Sequence, residues 1–441
     1  MPRQATISKM LVTFRALVLL GPAAFLCLSM YPAWAQSLSA PVVAAVPAPG
    51  NTGQQTQPLT MASAIEMALA SNAELSAARR ELEAADGPVM QGGARPNPEL
   101  SFLMEDTQRA TRTTTLQINQ PIELGAKRAA RITAAERGRD IASAELAAKR
   151  ADLRAMVVTA FQDVLLAQDR IKLAGEASQL ARRASDAAGK RVQAGKISPV
   201  EETKAKVAEA TARLEAAQAA SELRMSRQRL AATWGETLPR FERVEANDAL
   251  ASVPTFEAIS TRLAASPSLR RAQIEVQRRI ALSDLERAKR TPDLTVSLGV
   301  KRDEQLGRNQ AVIGLSIPLP LFDRNQGNLL EALRREDKSR DELAAADIYL
   351  KSAVMQAWNR LDTAGTEART IREQVIPGAQ SAYDAATQGF ALGKFNFLDV
   401  LDAQRTLFQA QGQYLRARGE ANRAAADIDR LLGDGENLVL R

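Results

Sequence analysis

Two kinds of hydrophobic periodicity alternate along the chain. Apolar residues recur at heptad-like spacing over long stretches rich in Ala, Arg, Glu, Leu and Gln, as at Leu146, Leu153, Val157 and Val164. This spacing and these strong helix formers predict long amphipathic helices. Between the helices, short stretches alternate strictly between apolar and polar residues, which predicts β-strands with one apolar face. The pattern therefore indicates a mainly α protein with a small β part.

Four strands are predicted, in two pairs joined by polar turns. Glu99–Glu105 precedes Thr115–Asn119, and Leu294–Lys301 precedes Val312–Ile317. In each strand the apolar side chains point to one face and the polar ones to the other. The predicted apolar face consists of Leu100, Phe102, Met104, Leu116, Ile118, Leu294, Val296, Leu298, Val300, Ile313, Leu315 and Ile317.

The alternation fits two structures. The strands form either soluble hairpins whose apolar face packs on helices, or membrane strands whose apolar face meets lipid. Four strands cannot close a barrel, and lipid does not tolerate an open sheet edge. A membrane form therefore needs several chains, and three chains give a 12-stranded β-barrel whose polar face lines the lumen.

The chain also repeats itself with an offset of ~200 residues. Leu69–Leu75 recurs as Leu263–Leu269, and Gly195-Lys196 recurs as Gly393-Lys394. We expect an internal duplication, in which each copy has a helix, a β-hairpin, a long helix, a tip turn and another helix. The predicted boundaries are 59–235 for repeat 1 and 236–441, including a C-terminal tail, for repeat 2.

Helix lengths predict a tall cylinder. The two long helices are expected over Lys127–Gly189 and Asn325–Gly389, each ~95 Å long. The shorter helices, expected over 73–92, 199–234, 268–290 and 397–432, give ~85–90 Å when laid end to end within one copy. Continuous helices would thus alternate with stacked pairs. Pro377-Gly378 predicts a kink in the second long helix.

Residues 1–35 are typical of a signal peptide. Arg3, Lys9 and Arg15 precede an apolar run, and Ala33-Trp34-Ala35 predicts cleavage before Gln36. The alternative is a retained anchor helix, although Gly21-Pro22 interrupts the apolar run. Residues 36–58 form a Pro/Gln-rich N-terminal segment.

Composition excludes most catalytic and metal-binding chemistry. Among 441 residues there is no His, and the one Cys lies in the predicted leader. A Ser-His-Asp triad and a His- or Cys-ligated metal site are therefore excluded. Neither a cofactor nor an enzyme activity is expected. The net charge is +7, but Lys and Arg are interleaved with Asp and Glu, so nucleic acid is not an expected partner.

Three stretches carry a family resemblance. The segments Arg95–Leu100, Arg290–Leu294 and Gly393–Ala403, together with the leader and the duplication, resemble the TolC-type outer-membrane efflux family. The strand exit Ile317–Gly327 is similar to the heavy-metal (CzcC-like) branch. The resemblance covers roughly residues 58–433, nearly all of the chain after the leader.

This resemblance implies a homotrimer in the outer membrane of a Gram-negative bacterium. A 12-stranded β-barrel in outer-membrane lipid would continue as a long periplasmic α-helical barrel. It would meet a periplasmic adaptor protein and an inner-membrane pump of the resistance–nodulation–division class. The chain would serve as a passive exit duct for divalent heavy-metal cations. The alternatives are a duct for multidrug efflux or type I secretion, and a periplasmic coiled-coil adaptor or scaffold.

The resemblance also implies a gate at the tip turns, which contain Gly195 and Gly393. Asp399 and Asp402 are three residues apart on one helical face, and under threefold symmetry they would form two carboxylate rings that favour cations. Family members have acidic residues at these two positions. Asp399 also suits a capping role at the helix N-terminus, so both roles stay open for it.

Two further tip residues have different expected roles. Glu201 occupies the equivalent tip position in repeat 1, and Ser198-Pro199-Val200-Glu201 predicts a capping box with Pro at N1. Lys204 stands where a second acid would be expected. Phe390 stands where many family members have a tyrosine gate residue, which removes a hydrogen-bonded latch through a phenol.

Overall fold

The structure, a computed structural model, describes residues 58–245 and 253–433. The predicted signal peptide, almost all of the Pro/Gln-rich segment and the C-terminal tail lie outside the described residues.

Repeat 1 contains three short helices, a hairpin and two long helices. The elements are α1 (Met61–Ser71), α2 (Ala73–Ala84), α3 (Asp86–Gly93), β1 (Glu99–Glu105), β2 (Thr113–Ile122), α4 (Lys127–Gln193) and α5 (Pro199–Ala232). The single helix predicted over 73–92 is therefore wrong, since it is divided at Ala85. Pro88 explains the division, because it has no amide hydrogen and its ring would clash with the carbonyl of Ala84.

Repeat 2 follows a similar order. The elements are α6 (Phe256–Arg262), α7 (Pro267–Ala288), β3 (Leu294–Asp303), β4 (Arg308–Ser316), α8 (Gln326–Thr370), α9 (Ile376–Ala391) and α10 (Phe397–Leu432). A π-helical turn over Ile371–Val375 joins α8 to α9, and Pro377 lies in the first turn of α9. The irregularity predicted at Pro377-Gly378 is a π-helical turn that ends at Val375, two residues before Pro377.

Among the described residues, no helix contains an apolar stretch long enough to cross a membrane.

The four strands form one antiparallel sheet in the order β1-β2-β3-β4. Leu100, Ile118, Leu298 and Ile313 occupy one row across the sheet, because each is the register partner of the next. The predicted apolar residues of the four strands therefore share one face. The predicted bounds of β4 are wrong at both ends, since the strand begins at Arg308 rather than Val312 and ends at Ser316 rather than Ile317. Pro318 has no amide hydrogen with which to continue the ladder.

The apolar face of the sheet is uncovered. Leu100 and Ile313 are 68% and 76% exposed, whereas Thr115, Gln117 and Asn119 on the polar face are only half-exposed. This difference is typical of a curved sheet whose convex side is apolar, because side chains crowd together on a concave face. The expectation of hairpins that bury their apolar face against helices is wrong.

The helices pack around the middle of α4. Val157, Phe161 and Val164 of α4 are buried in one cluster with Leu361 of α8 and Ile428 of α10. Towards the tip, α5 packs along α4, α4 along α10, and α10 along α9. This arrangement gives the row α5–α4–α10–α9, so α5 and α9 are the edge helices of one chain.

Charged pairs join the two repeats where α4 meets α10. Asp163 of α4 accepts a hydrogen bond from Arg423 at 2.8 Å, and Asp169 accepts one from Arg418. The hydrogen bond that Arg423 donates to Asp163 raises the pKa of the Arg423 guanidinium. Each pair places the acid on α4 and the arginine on α10. The interface between α4 and α10 therefore combines these ion pairs with the apolar cluster around Ile428.

Candidate functional site

The two tip turns have the same backbone conformation. Gly195 lies between α4 and α5 with φ +68°, and Gly393 lies between α9 and α10 with φ +72°. Glycine adopts this left-handed conformation without steric cost. In both turns the backbone N–H of the residue after the glycine donates a hydrogen bond of 2.8 Å to the carbonyl five residues earlier. This bond gives a partner to a carbonyl at the C-terminus of the preceding helix. The structure thus places both predicted glycines where the chain reverses.

Asp399 caps the N-terminus of α10. Its Oδ2 accepts a hydrogen bond from the backbone N–H of Asn396 at 3.0 Å, and the carboxylate is otherwise exposed. An acidic residue in the first turn also interacts favourably with the helix dipole. The capping interpretation of Asp399 is therefore confirmed. Its second oxygen remains available on the surface.

Asp402 lies one turn further along α10 and is exposed. Among the residues that the structure describes, its carboxylate makes no hydrogen bond or ion pair. A carboxylate without a structural partner keeps its full charge for ions or for a neighbouring chain. No local contact within the described residues therefore explains the charge of Asp402.

The N-terminus of α5 differs from that of α10. The Ser198 side chain accepts from the amide of Val200 at 3.3 Å, one residue earlier than a capping box requires. The capping box predicted through Glu201 is therefore wrong, and Glu201 is half-buried. Lys204 is exposed on the next turn. The start of α5 thus carries two acids, Glu201 and Glu202, together with Lys204, whereas the start of α10 carries Asp399 and Asp402.

Phe390 contacts the guanidinium of Arg191, a contact that the sequence did not predict. The guanidinium carbon of Arg191, in the last turn of α4, lies 3.8 Å from the centre of the Phe390 ring. The ring also packs on a small cluster around Ala188 and Ala205. Cations are attracted to the face of an aromatic ring. The contact therefore ties α4 of one repeat to α9 of the other, directly above the tip turns.

We expect that this contact holds the tip closed. Replacing Arg191 with methionine retains an apolar stem but removes the charge, and replacing Phe390 with leucine removes the ring. Each variant should raise the conductance of the reconstituted channel in planar bilayers. Because both changes break one contact, worth about 0.5–1 kcal/mol at an exposed site, the double variant should behave like either single variant. Additive effects would contradict the proposed coupling.

The edge helix α5 exposes a stripe of large apolar residues. Val200, Val207 and Leu214 are seven residues apart and are 60%, 61% and 59% exposed. The opposite side of α5 is buried against α4 through Ala205 and Ala219. We call the three exposed residues the large-residue stripe.

The other edge helix, α9, exposes small residues in a similar pattern. Gly378, Ala382 and Ala385 follow the 3-4 spacing of a heptad, and Leu392 extends the line to the tip. We call these four residues the small-residue stripe. Along the chain, the large-residue stripe runs away from the tip and the small-residue stripe runs towards it. The two stripes have nearly equal lengths. Both are uncovered in a single chain.

Within residues 58–245 and 253–433, no group of three or more His, Cys, Asp and Glu side chains is positioned to hold a metal ion.

Two segments of the chain match one protein family. Residues 64–236 and 258–434 match the family described as outer membrane efflux protein. The chain belongs to the outer membrane efflux protein family. The predicted resemblance to TolC-type efflux proteins is therefore confirmed.

The chain is similar to two proteins named for metal resistance in Cupriavidus metallidurans. It is 52% identical to the cobalt-zinc-cadmium resistance protein CzcC over 377 residues, which cover 85% of the chain and 90% of CzcC. It is 28% identical to the nickel and cobalt resistance protein CnrC, over 72% of the chain and 73% of CnrC.

A solved structure shows the same fold. The outer membrane protein VceC from Vibrio cholerae superimposes with a TM-score of 0.72 at 20% sequence identity, over 85% of this chain and 96% of that one. The predicted fold class, mainly α with a small β part of four strands per chain, is therefore confirmed.

Proposed function

We propose that the chain is the outer-membrane exit channel of a tripartite efflux system that exports divalent heavy-metal cations. The observation that carries this proposal is the 52% identity to a cobalt-zinc-cadmium resistance protein over nine-tenths of that protein's length. The name of CnrC extends the cargo class to nickel. The energy for export comes from an inner-membrane pump of the resistance–nodulation–division class, to which a periplasmic adaptor protein connects the channel.

The proposal includes a homotrimer in the outer membrane, after cleavage of the signal peptide near Ala35-Gln36. The sheet supports it, because β1 and β4 are edge strands in one chain and lipid does not tolerate unpaired edges. Three sheets joined edge to edge give 12 strands, which is within the size range of outer-membrane barrels. The exposed convex apolar face would then meet lipid, and the helices would project into the periplasm.

The edge helices support the same assembly. In a ring of three copies, α5 of one chain would lie beside α9 of the next. The large-residue stripe could then insert into the small-residue stripe, as side chains do in coiled coils. The faces of α5 and α9 that are exposed in one chain would be buried in the trimer.

In this trimer, Asp399 and Asp402 would form two carboxylate rings at the tip. The ring of Asp402 would carry most of the free negative charge, because Asp399 already accepts a backbone hydrogen bond. Rings of carboxylates favour cations in a constriction. The channel itself would not distinguish one divalent metal from another, since carboxylates bind such ions weakly and without strong preference. Selection of the cargo would then belong to the pump and the adaptor.

Deletion of the gene tests this function. We expect a deletion strain to lose tolerance to zinc, cobalt, cadmium or nickel, and the wild-type gene to restore it, because the pump needs an exit across the outer membrane. The measurement is growth over a concentration series of each metal. Unchanged metal tolerance together with new sensitivity to drugs or detergents would favour the multidrug alternative. Loss of an exported polypeptide would favour type I secretion.

Fractionation separates the channel from a periplasmic scaffold. A protein whose apolar sheet face lies in lipid should need detergent for extraction from the envelope. Release of the native protein by osmotic shock alone would favour the scaffold. The uncovered apolar face argues against that alternative.

A further inference from the structure

The residue types on the convex face of the sheet change near the turns that join its strands. Phe102, Leu116 and Val300 lie in the last wholly apolar row, and Met104 is the one apolar residue of the row beyond it. In the row of Met104, further from the helices, Arg302 is the register partner of Thr114. One row beyond, the amide of Glu304 donates to the carbonyl of Arg112 at 3.1 Å, which continues the ladder.

Arg112 and Arg302 therefore lie on the same face. Side chains two residues apart along a strand point the same way, and Arg112 is two residues before Thr114. The two arginines are diagonal neighbours on adjacent strands, with Cα atoms about 7–8 Å apart. We call them the outer arginine pair. A single phosphate group can contact both guanidinium groups at this spacing.

The outer arginine pair has few competing contacts within the chain. The Arg302 side chain is about half-exposed, and its contacts with Glu304 and Asn309 are both long, at 3.5 Å. Among the described residues, Arg112 makes no side-chain hydrogen bond or ion pair. Arg112 is half-buried, and Arg109 in the neighbouring turn adds an exposed cation. Two acids, Asp106 and Glu304, lie beside these three arginines. The local charge is thus positive.

The height of the pair matches a lipid headgroup. From Ile122 and Leu294 to the row of Phe102, the convex face is apolar except for Gln120, over roughly 20 Å along the strands. Arginine side chains that lie just beyond such a band can keep their stems on apolar surface and their charges at the headgroups. In the proposed orientation the helices point into the periplasm, so the turns and the arginine pair lie at the outer leaflet.

We propose that Arg112 and Arg302 bind the phosphate groups of a phosphorylated glycolipid in the outer leaflet of the outer membrane. This inference depends on the membrane orientation in the proposed function. Arginine binds phosphate through paired, charge-assisted hydrogen bonds. An apolar surface alone would not bind the phosphate groups. Three copies would present three such sites around the barrel, and each would anchor one lipid beside β2 and β3.

Lipid binding to the purified full-length protein tests the proposal. Wild type and Arg112→Gln/Arg302→Gln are titrated in detergent with bis-phosphorylated lipid A, and bound lipid is counted by native mass spectrometry. We expect the double variant to bind about tenfold more weakly, a loss comparable to one strong polar contact. Lipid A from which both phosphates have been removed should bind wild type as weakly as phosphorylated lipid binds the variant.

Arg308→Gln is the matched control. Arg308 is exposed and lies at the same height, but it is the register partner of Asp303 and belongs to the polar face. This variant should bind lipid like wild type. Equal losses in both variants, or no loss in the double variant, would overturn the proposal. Competition by millimolar inorganic phosphate alone would show a site for free phosphate and would also overturn it.

Two further measurements keep the result interpretable. Arg302→Lys retains the charge and should retain part of the binding, even if the double glutamine variant fails to assemble. Binding in detergent does not depend on how the protein lies in a membrane, so the membrane location is tested separately by the fractionation experiment above. If only the arginine assignment is wrong, wild type and all variants will bind lipid A equally.

Discussion

Asp399→Ala/Asp402→Ala is expected to abolish the cation selectivity of the reconstituted channel and its block by divalent cations. The Asp402 carboxylate has no partner among the described residues, so in a trimer its charge would face the constriction. We expect Asp402→Asn alone to weaken the block about tenfold, which corresponds to 1.4 kcal/mol of lost ion binding. Asp399→Asn should have a smaller effect, because a backbone amide already shares that charge. Single-channel currents in planar bilayers, with and without a divalent cation, measure both.

Asparagine is the informative replacement at these positions. Its side-chain oxygen can still accept the capping hydrogen bond, so Asp399→Asn tests the charge rather than the helix terminus. Glu342→Gln removes an exposed charge from α8, far along the chain from the tip turns, and should leave the block unchanged. Identical currents from wild type and the double alanine variant would remove the gate assignment while leaving the fold intact.

Val207→Glu is expected to convert the trimer into monomers. In the proposed ring, Val207 of α5 inserts between small residues on α9 of the next chain. A buried carboxylate without a partner costs several kcal/mol, and the change would occur at all three interfaces at once. Ala385→Glu, on the small-residue stripe, should have the same effect from the other side. Native mass spectrometry or light scattering of the detergent-solubilised protein measures the oligomer.

A charge placed elsewhere on the helical row serves as the control. Gln409 is exposed on α10, which has α4 on one side and α9 on the other within one chain. Gln409→Glu should therefore leave the trimer intact. Trimers of normal stability in both Val207→Glu and Ala385→Glu would show that α5 and α9 do not meet between copies.

The sequence predicted those parts of the fold that depend on local pattern. The bounds of β1 were predicted correctly, because its alternation is uninterrupted from Glu99 to Glu105. The bounds of β2 were predicted too short, since Thr113 and Ile122 pair with residues of β3 that are distant in the chain. The tip glycines were predicted because a left-handed turn between two helices favours glycine.

The rest depended on packing between distant segments. Arg191 and Phe390 belong to different repeats, and only the packing of α4 against the second repeat brings them together. No local pattern distinguishes Arg191 from the other arginines near the end of α4. The capping box predicted at Ser198 and Glu201 does not form, whereas the capping role left open for Asp399 does. Ser198 and Asn396 both suit an N-cap, and side-chain geometry alone decides which acid reaches back. The gate itself stays a prediction.

The charged interface between α4 and α10 has a mechanical consequence. Arg423 lies near both Asp163 and Glu420, and Arg430 lies near both Asp152 and Asp427, so each guanidinium has a second carboxylate within reach. Both second carboxylates lie on α10 itself, so an arginine that leaves its acid on α4 during a shift of the two helices keeps an ionic partner on its own helix. We therefore expect the ion pairs to oppose such a shift less than the apolar cluster around Val157 and Ile428 does.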